Sequence, residues 1–343
     1  MPEAGGSFSV RRDAARHAAP RAGFPSPGSP PLRPWAEGHG RVGPLAALAL
    51  LVLLLAPLAR ASAAARHPAA HHTPFGVTEA AEVADPDLRA ELTAISREFA
   101  TTVTAKTLAR FGRRAGHRRF KLVLSPSAAY RDTIRADALK RLRQANADLS
   151  QSQYFVYADR NPAAQVLFLA FYDATAQTVR LLGADFISSG KLRQGKDSFL
   201  TPVGVFENLP DNWGYRAQGT KNDKGWRGLG AQGSRVWDFG YQQAPRRFSQ
   251  GVYDSQMRLL MHATDPDNGE PRLGGPDSKG CVRISATANA FLDRHGILDR
   301  LYEQLAATDP DHSQWLLRKD RTPAPHAGSY LVVGDSAIQS ASR

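Results

Sequence analysis

The feature that most constrains the fold is a change in the pattern of apolar residues near residue 150. After Ser150 the apolar residues stand in short runs separated by Asp, Asn, Gly and Pro, at residues 154–157, 166–172, 178–182, 186–188 and 203–207. Short runs bounded by turn-forming residues are typical of β-strands. The sequence therefore predicts a mainly β domain over residues 150–306.

Residues 64–149 have a helical pattern instead. Apolar residues recur at spacings of three and four between Leu88 and Val103, and Asp85 or Asp87 is placed to cap the N-terminus of that helix. The elements predicted here are a helix over 86–112, a short strand over 120–124 and a second helix over 136–149. We predict an accessory helical region whose role the sequence does not indicate.

After residue 207 the sequence predicts a long irregular stretch, two strands and a helix. A Gly-, Trp- and Arg-rich stretch, residues 208–250, is longer than an ordinary connection and is either a functional loop or an irregular surface insertion. The next elements are a strand at 258–262, a loop at 265–277, a strand at 281–284 and a helix at 286–295 capped by Ser285 and Gly296. Residues 307–343 are assigned to a C-terminal tail.

Residues 1–63 are predicted to be a leader with a signal peptide. Residues 45–58 form an uninterrupted apolar run, preceded by Arg33 and Arg41 and followed by small residues with a cleavage site after Ala63. The run is shorter than the roughly 20 residues of a membrane-spanning helix. An exported protein of the periplasm or cell wall is therefore predicted, and a single-pass membrane anchor is the alternative. This segment is the only membrane contact that the sequence predicts.

The charge and cysteine content exclude several classes of protein. The 44 Lys and Arg residues, with a formal net charge of +12, are spread along the whole chain. Nucleic-acid-binding proteins concentrate such charges in one arm or helix, so no nucleic-acid partner is predicted, and attraction to an acidic polymer or an anionic surface is an alternative reading of the charge. Cys281 is the one cysteine, which excludes an internal disulfide. No cofactor or metal is predicted, and the sequence leaves the oligomeric state open.

The residues around Cys281 have the pattern of an activated nucleophile. If this stretch is a strand, Val282 and Ile284 face the core while Cys281 and Arg283 share the opposite face. A cation beside a thiol lowers its pKa, as a nucleophile at neutral pH requires. Gly280 allows close backbone approach, so the amides of Gly280 and Cys281 are candidates for an oxyanion hole. The alternative is a buried structural cysteine.

His262 is the candidate general base. It follows the run 258–261 where the chain leaves a strand for a loop, a position from which an imidazole can reach a neighbouring strand. A thiol nucleophile needs such a base to take its proton and to pass it to a leaving amine. The alternative is a structural histidine at a strand end.

Together these residues resemble the catalytic signature of the L,D-transpeptidase family. In that signature a histidine precedes a Ser/Thr-His-Gly-Cys-hydrophobe-Arg/Asn block, and here fifteen residues separate His262 from the block at 278–283. Residues 201–206, Thr-Pro-Val-Gly-Val-Phe, are similar to the family's Thr-Pro-x-Gly-x-Phe strand, and residues 188–191 to its Ser-x-Gly turn. The resemblance covers about residues 150–285.

The resemblance implies a twisted, mainly β catalytic domain and a cysteine acyltransferase whose partners are peptidoglycan stem peptides. Cys281 would attack the carbonyl of the third residue of a tetrapeptide stem and expel the terminal D-Ala. His262 would be the base, with the carbonyl of Ala263 orienting its ring. Ser278 would order the turn, and Arg283 would hold a substrate carboxylate.

One position departs from the family pattern. Lys279 stands where the family has a second histidine, and the resemblance implies that this position contacts the substrate in the donor site.

Water as the acceptor would instead make an L,D-carboxypeptidase, and a non-catalytic wall-binding protein is the alternative from another class. A papain-like protease is disfavoured because its cysteine precedes its histidine in the chain and lies on a helix.

Overall fold

The computed structural model describes residues 73–111, 117–194, 197–313 and 315–337, and all of these belong to one compact unit. The predicted leader, its apolar run and its cleavage site lie outside the described residues. Within these ranges, no helix is both long and apolar enough to cross a membrane.

Five described helices precede the sheet. They are α1 (Phe75–Ala81), α2 (Pro86–Phe99), α3 (Ala105–Phe111), α4 (His117–Leu124) and α5 (Ala128–Gln144). A π-helical turn, Ala100–Thr104, joins α2 to α3, so the described part of the predicted helix over 86–112 is confirmed. Asp85 caps α2, because its carboxylate accepts the N–H groups of Asp87 and Leu88 at 2.9 and 3.1 Å.

Helix α4 corrects the strand predicted over 120–124. Phe120 and Val123 are three residues apart and both contact the same apolar cluster, with the Phe120 ring 6.2 Å from the ring of Phe186. A strand would point residues three apart to opposite faces, whereas a helix points them to one face. The strand prediction is therefore wrong. The second predicted helix exists as α5, and it begins earlier because Ser127 caps it.

Nine strands form one mixed sheet. They are β1 (Gln153–Asp159), β2 (Val166–Asp173), β3 (Thr178–Ser188), β4 (Gly204–Glu207), β5 (Tyr215–Arg216), β6 (Arg235–Phe248), β7 (Gly251–Ala263), β8 (Val282–Ile284) and β9 (Tyr330–Gly334). Their order across the sheet is β4-β9-β1-β2-β3-β8-β7-β6-β5. β1 pairs with β9 and β7 pairs with β8 in parallel, while the other neighbours are antiparallel.

Three strands differ from the sequence predictions. The two runs at 178–182 and 186–188 belong to the single strand β3. Much of the stretch 208–250 is strand β6, which forms a long hairpin with β7, so only part of it is a loop. The segment assigned to a C-terminal tail supplies β9, which lies inside the sheet between β4 and β1.

The strands β1 and β2 are buried on both faces. Every residue of both strands is buried. One apolar cluster contains residues of α2 and of α6 (Ala286–Arg294), and the cluster on the other face contains residues of α4 and α5. The helices before residue 150 therefore help to build the core of the same unit. Two further helices, α7 (Arg300–Thr308) and α8 (Pro310–Ser313), follow α6.

The fold is β-rich with helices, as predicted, although it is better described as mixed α/β. Strand accounts for 29% and helix for 33% of the residues, so the term mainly β is imprecise. The helix predicted after the strand at 281–284 is confirmed as α6. Ser285 caps it, because its Oγ accepts the N–H of Ala288 at 3.0 Å.

Candidate active site

The strands β7 and β8 bring the candidate base and nucleophile to one face of the sheet. His262 is in register with Arg283, and Met261 is in register with Val282. In-register residues on neighbouring strands point to one face, as do alternate residues within a strand. Cys281 directly precedes β8, two residues before Arg283, so the thiol, the guanidinium and the imidazole share a face. Val282 is fully buried on the opposite face, as predicted.

The imidazole of His262 is oriented by its own strand. Its Nδ1 lies 2.7 Å from the carbonyl oxygen of Ala263. Because a carbonyl only accepts hydrogen bonds, Nδ1 must carry the proton, and Nε2 keeps its lone pair. The structure thus places the Ala263 carbonyl where the resemblance implied a group that orients the ring.

Burial keeps this imidazole neutral. His262 is 3% exposed. The pKa of His262 is lowered to about 4, because the effect of burial, with a smaller effect of the Arg283 guanidinium, outweighs the opposite effect of the Ala263 carbonyl. At neutral pH the ring is therefore an unprotonated base.

A loop between β5 and β6, residues 217–234, packs against Ala263, the residue after the histidine. A Cβ atom at Gly230 would stand 2.7 Å from the Cβ of Ala263, and Gly230 has a φ of +94°. Only glycine fits both this close contact and this positive φ without strain. The loop is also fixed by Arg227, whose N–H donates to the carboxylate of Asp265 at 2.8 Å. This part of the predicted long loop therefore contacts the residue whose carbonyl orients the imidazole.

Ser278 orders the turn that leads to the thiol. Its Oγ donates to the carbonyl of Cys281 at 2.6 Å and accepts the N–H of Gly280 at 3.0 Å. Thr201 Oγ1 donates to the carbonyl of Gly280 at 2.7 Å and accepts the N–H of Gly190 at 2.8 Å. The three segments that carry the family resemblance thus meet at this turn.

The hydrogen bonds of the turn remove one of the two amides predicted for the oxyanion hole. Gly280 has a φ of +136°, consistent with the close turn expected there. Its N–H is already donated to Ser278, so it serves the turn and not a substrate. Of the two amides predicted for the oxyanion hole, the expectation now rests on that of Cys281.

The thiol of Cys281 is protonated in the resting site, which corrects the expectation of a lowered pKa. Burial raises the pKa of Cys281, and the Leu260 backbone and the Arg283 guanidinium offset this only in part. The carboxylate of Asp238 raises it further. The site therefore holds a thiol beside a neutral imidazole, and not a preformed thiolate.

Arg283 lies between the thiol and a cluster of charges. Its Nη1 is 3.9 Å from the carboxylate of Asp277. Arg193 and Arg272 contact the same carboxylate at 2.5 and 3.0 Å. Three guanidinium groups around one carboxylate leave an excess of positive charge near Cys281. Lys279 is exposed on the adjoining turn.

Two residues near the thiol, Asp238 and Tyr215, were not predicted from the sequence. Asp238 is in register with Leu260, whose backbone contacts the thiol. Burial first, and then Asp238 and Cys281, raise the pKa of Tyr215, so its hydroxyl keeps a proton that it can donate. Both residues lie in the stretch predicted as a loop. The β-branched and aromatic residues Val236, Trp237 and Phe239 were a signal for a strand there, but nothing in the sequence pairs that strand with β7.

No known protein family and no curated protein matches this chain. Within the part of the chain that the structure describes, no group of three or more His, Cys, Asp or Glu side chains is arranged to hold a metal ion. The case for a function therefore rests on the geometry of Cys281, His262 and their neighbours.

Proposed function

We propose that this protein is an L,D-transpeptidase, a cysteine acyltransferase that transfers the acyl group of a peptidoglycan tetrapeptide stem to an amine. The observation that carries the proposal is the His262–Ala263 hydrogen bond of 2.7 Å. It leaves Nε2 as the proton acceptor, on the face of the sheet that also carries Cys281. A thiol and an imidazole so placed are the parts that thiol acyl transfer requires.

The neutral resting state favours a general-base mechanism. His262 Nε2 takes the thiol proton as the sulfur of Cys281 attacks the carbonyl carbon of the third stem residue. The C–N bond to the terminal D-Ala then breaks, and the imidazolium gives its proton to the leaving amine. The thioester that remains is attacked by the amine of a second stem, which forms the cross-link and returns the thiol.

The charges around the site suit an anionic stem peptide. Arg283 is two residues from Cys281 and, together with Arg193 and Arg272, shares the single carboxylate of Asp277. Guanidinium groups bind carboxylates through paired hydrogen bonds. In the proposal Arg283 holds a stem carboxylate, and Lys279 contacts the donor from the exposed turn.

The proposal includes the cellular location. The leader assigned to residues 1–63 would deliver the enzyme to the periplasm or cell wall, where stem peptides are found. A single-pass anchor would place the same site on the same side of the membrane.

Intact-mass spectrometry after incubation with a disaccharide tetrapeptide tests the proposal. We expect an adduct equal to the donor minus alanine, sensitive to hydroxylamine as a thioester is, and absent from the Cys281→Ala variant. Adding an amine-bearing stem should yield a cross-linked dimer, whereas a tripeptide product alone would identify an L,D-carboxypeptidase. An unmodified mass in the presence of bound muropeptide would overturn the proposal and favour a non-catalytic wall-binding protein.

A further inference from the structure

Two exposed aromatic residues belong to β6 and to the turn before β5, at the edge of the sheet next to β7. The side chains of Trp213 and Tyr241 are 59% and 63% exposed. Trp213 ends a short 3-10 turn just before β5, and Tyr241 is on β6. Exposed aromatic groups next to a reactive face are common at binding sites, because they offer apolar area with little loss of conformational freedom.

The backbone at Trp213 is strained. It has a φ of +53° and a ψ of +64°, the left-handed region that bulky side chains avoid. Burial of the ring does not compensate for this strain, since most of the side chain is in solvent. An unfavourable backbone that presents an exposed ring indicates a role in recognition more than in stability.

Arg258 ties the two aromatic residues together. Its Nη2 donates to the carbonyl of Asn212, the residue before Trp213, at 2.9 Å, and its guanidinium lies 5.3 Å from the centre of the Tyr241 ring. Its Nε donates to Asp238 at 2.6 Å. These contacts fix Arg258 within a platform, which we define as Trp213, Tyr241 and Arg258.

The platform adjoins the thiol along β7. The thiol of Cys281 contacts the backbone of Leu260, and Arg258 is two residues from Leu260 on the same face. Two residues along a strand correspond to about 7 Å. On β6 the pairing shifts between Asp238 and Tyr241, a bulge that redirects the tyrosine side chain.

We propose that the platform is a sugar-binding subsite, which takes an amino-sugar ring of the glycan strand that carries the stem peptide. A pyranose ring has an apolar face of C–H groups that packs on aromatic rings, while its hydroxyl groups at the rim stay in water. Three stem residues separate the sugar from the carbonyl that is attacked, and three extended residues span at most about 10 Å. That reach is longer than the roughly 7 Å of strand between Arg258 and Leu260, the residue whose backbone contacts the thiol. The inference rests on the proposed function, since it takes its ligand from the same substrate.

The test compares two acyl donors that differ only in the sugar, a disaccharide tetrapeptide and the free tetrapeptide. We expect the wild-type protein to have a higher kcat/KM for the sugar-bearing donor. In Trp213→Ala and Tyr241→Ala this preference should fall about tenfold, and Trp213→Phe should restore most of it. Tyr253→Ala is the matched control, because Tyr253 is a similarly exposed tyrosine, 57% exposed, at the far end of the same hairpin.

A second measurement separates failure of the subsite from failure of the proposed function. Binding of a peptide-free β-1,4-linked N-acetylglucosamine oligomer is followed by NMR on the wild-type protein and on Trp213→Ala, without any turnover. Saturable binding that is lost in Trp213→Ala supports the subsite even if no acyl transfer is detected. Absent binding, or equal binding by both proteins, overturns it, as does an unchanged donor preference in an otherwise active enzyme.

Discussion

The two halves of the sheet are built differently. In the half that contains β1 and β2, every residue of these strands is buried and both faces are covered by helices. In the half that contains β6 and β7, buried and exposed residues are mixed, and the charged groups Asp238 and Arg283 act on the thiol of Cys281. The first half stabilises the fold through its buried apolar residues. The second half holds polar groups whose burial lowers the free energy of unfolding.

The largest expected effect of a substitution lies in the buried half and concerns folding alone. Phe168 on β2 is fully buried, and its ring packs 5.8 Å from Tyr130 and 6.5 Å from Phe75. Phe168→Ala should lower the free energy of unfolding by about 3–5 kcal/mol, because it removes a large buried side chain and leaves a cavity. Denaturant unfolding measures this.

The matched change in the other half is Tyr253→Ala, at an exposed aromatic residue. It should alter the free energy of unfolding by less than about 0.5 kcal/mol. The comparison fails if the two variants lose similar stability, or if Phe168→Ala also lowers turnover per folded molecule in the acyl-transfer assay.

The next largest effect is expected from a substitution in the loop at residues 217–234. Gly230→Ala would press a methyl group on Ala263, 2.7 Å away, and so shift the carbonyl that orients His262. A displacement of about 1 Å in a catalytic group can cost 100-fold in rate, so we expect a fall in kcat of roughly that size with KM little changed.

Gly233→Ala is the control for backbone strain in the same loop. Gly233 has a φ of +81°, similar to that of Gly230, and a Cβ there would meet nothing within 4 Å. It should lose a little stability and keep its kcat. Equal losses of kcat in both variants would show that strain in the loop, and not contact with Ala263, controls the rate.

The same comparison explains what the sequence could predict. The strands β1 and β2 were located because two-sided burial leaves continuous apolar runs. Val282 and Arg283 were assigned to opposite faces because alternation within one strand is a local property. Asp238 and Tyr215 were missed because their position beside Cys281 depends on how β5, β6 and β7 pair.

Two errors have the same long-range origin. The 120–124 segment is apolar enough for a strand, and only its contact with β3 shows that a helix is required there. The thiol pKa was predicted from the neighbouring cation alone, whereas burial by other parts of the chain raises it.

A smaller effect is expected at Arg283. Arg283→Lys keeps the charge and loses the planar pair of donors that a carboxylate binds, so kcat/KM should fall about tenfold, equivalent to about 1.4 kcal/mol. The rate of alkylation of Cys281 by a small uncharged reagent should change little. If alkylation slows in step with turnover, Arg283 acts on the thiol pKa, and if neither changes, the side chain does not contact the donor.

The smallest expected effect is that of mild acid on acylation. With a pKa of about 4, His262 stays almost entirely neutral at about pH 5.5, whereas an imidazole of ordinary pKa, about 6.5, would be about nine-tenths protonated there. The rate of acylation per folded molecule should therefore change by less than about twofold between pH 7 and pH 5.5, and fall only near pH 4. Cys281 does not complicate this range, because its raised pKa keeps it a thiol throughout.

Stability is the wrong measurement for this prediction, because two buried groups act in opposite directions. The pKa of His262 is lower in the folded state, so the unfolded chain binds more protons between about pH 4 and 6.5 and stability falls as the pH falls. Burial raises the pKa of Asp185 to about 7, so the folded chain binds more protons below that pH and stability rises as the pH falls. Single-turnover acylation, with the folded fraction measured at each pH, separates the base from these effects. A loss of rate centred near pH 6.5 would mean that the imidazole is open to solvent and not buried.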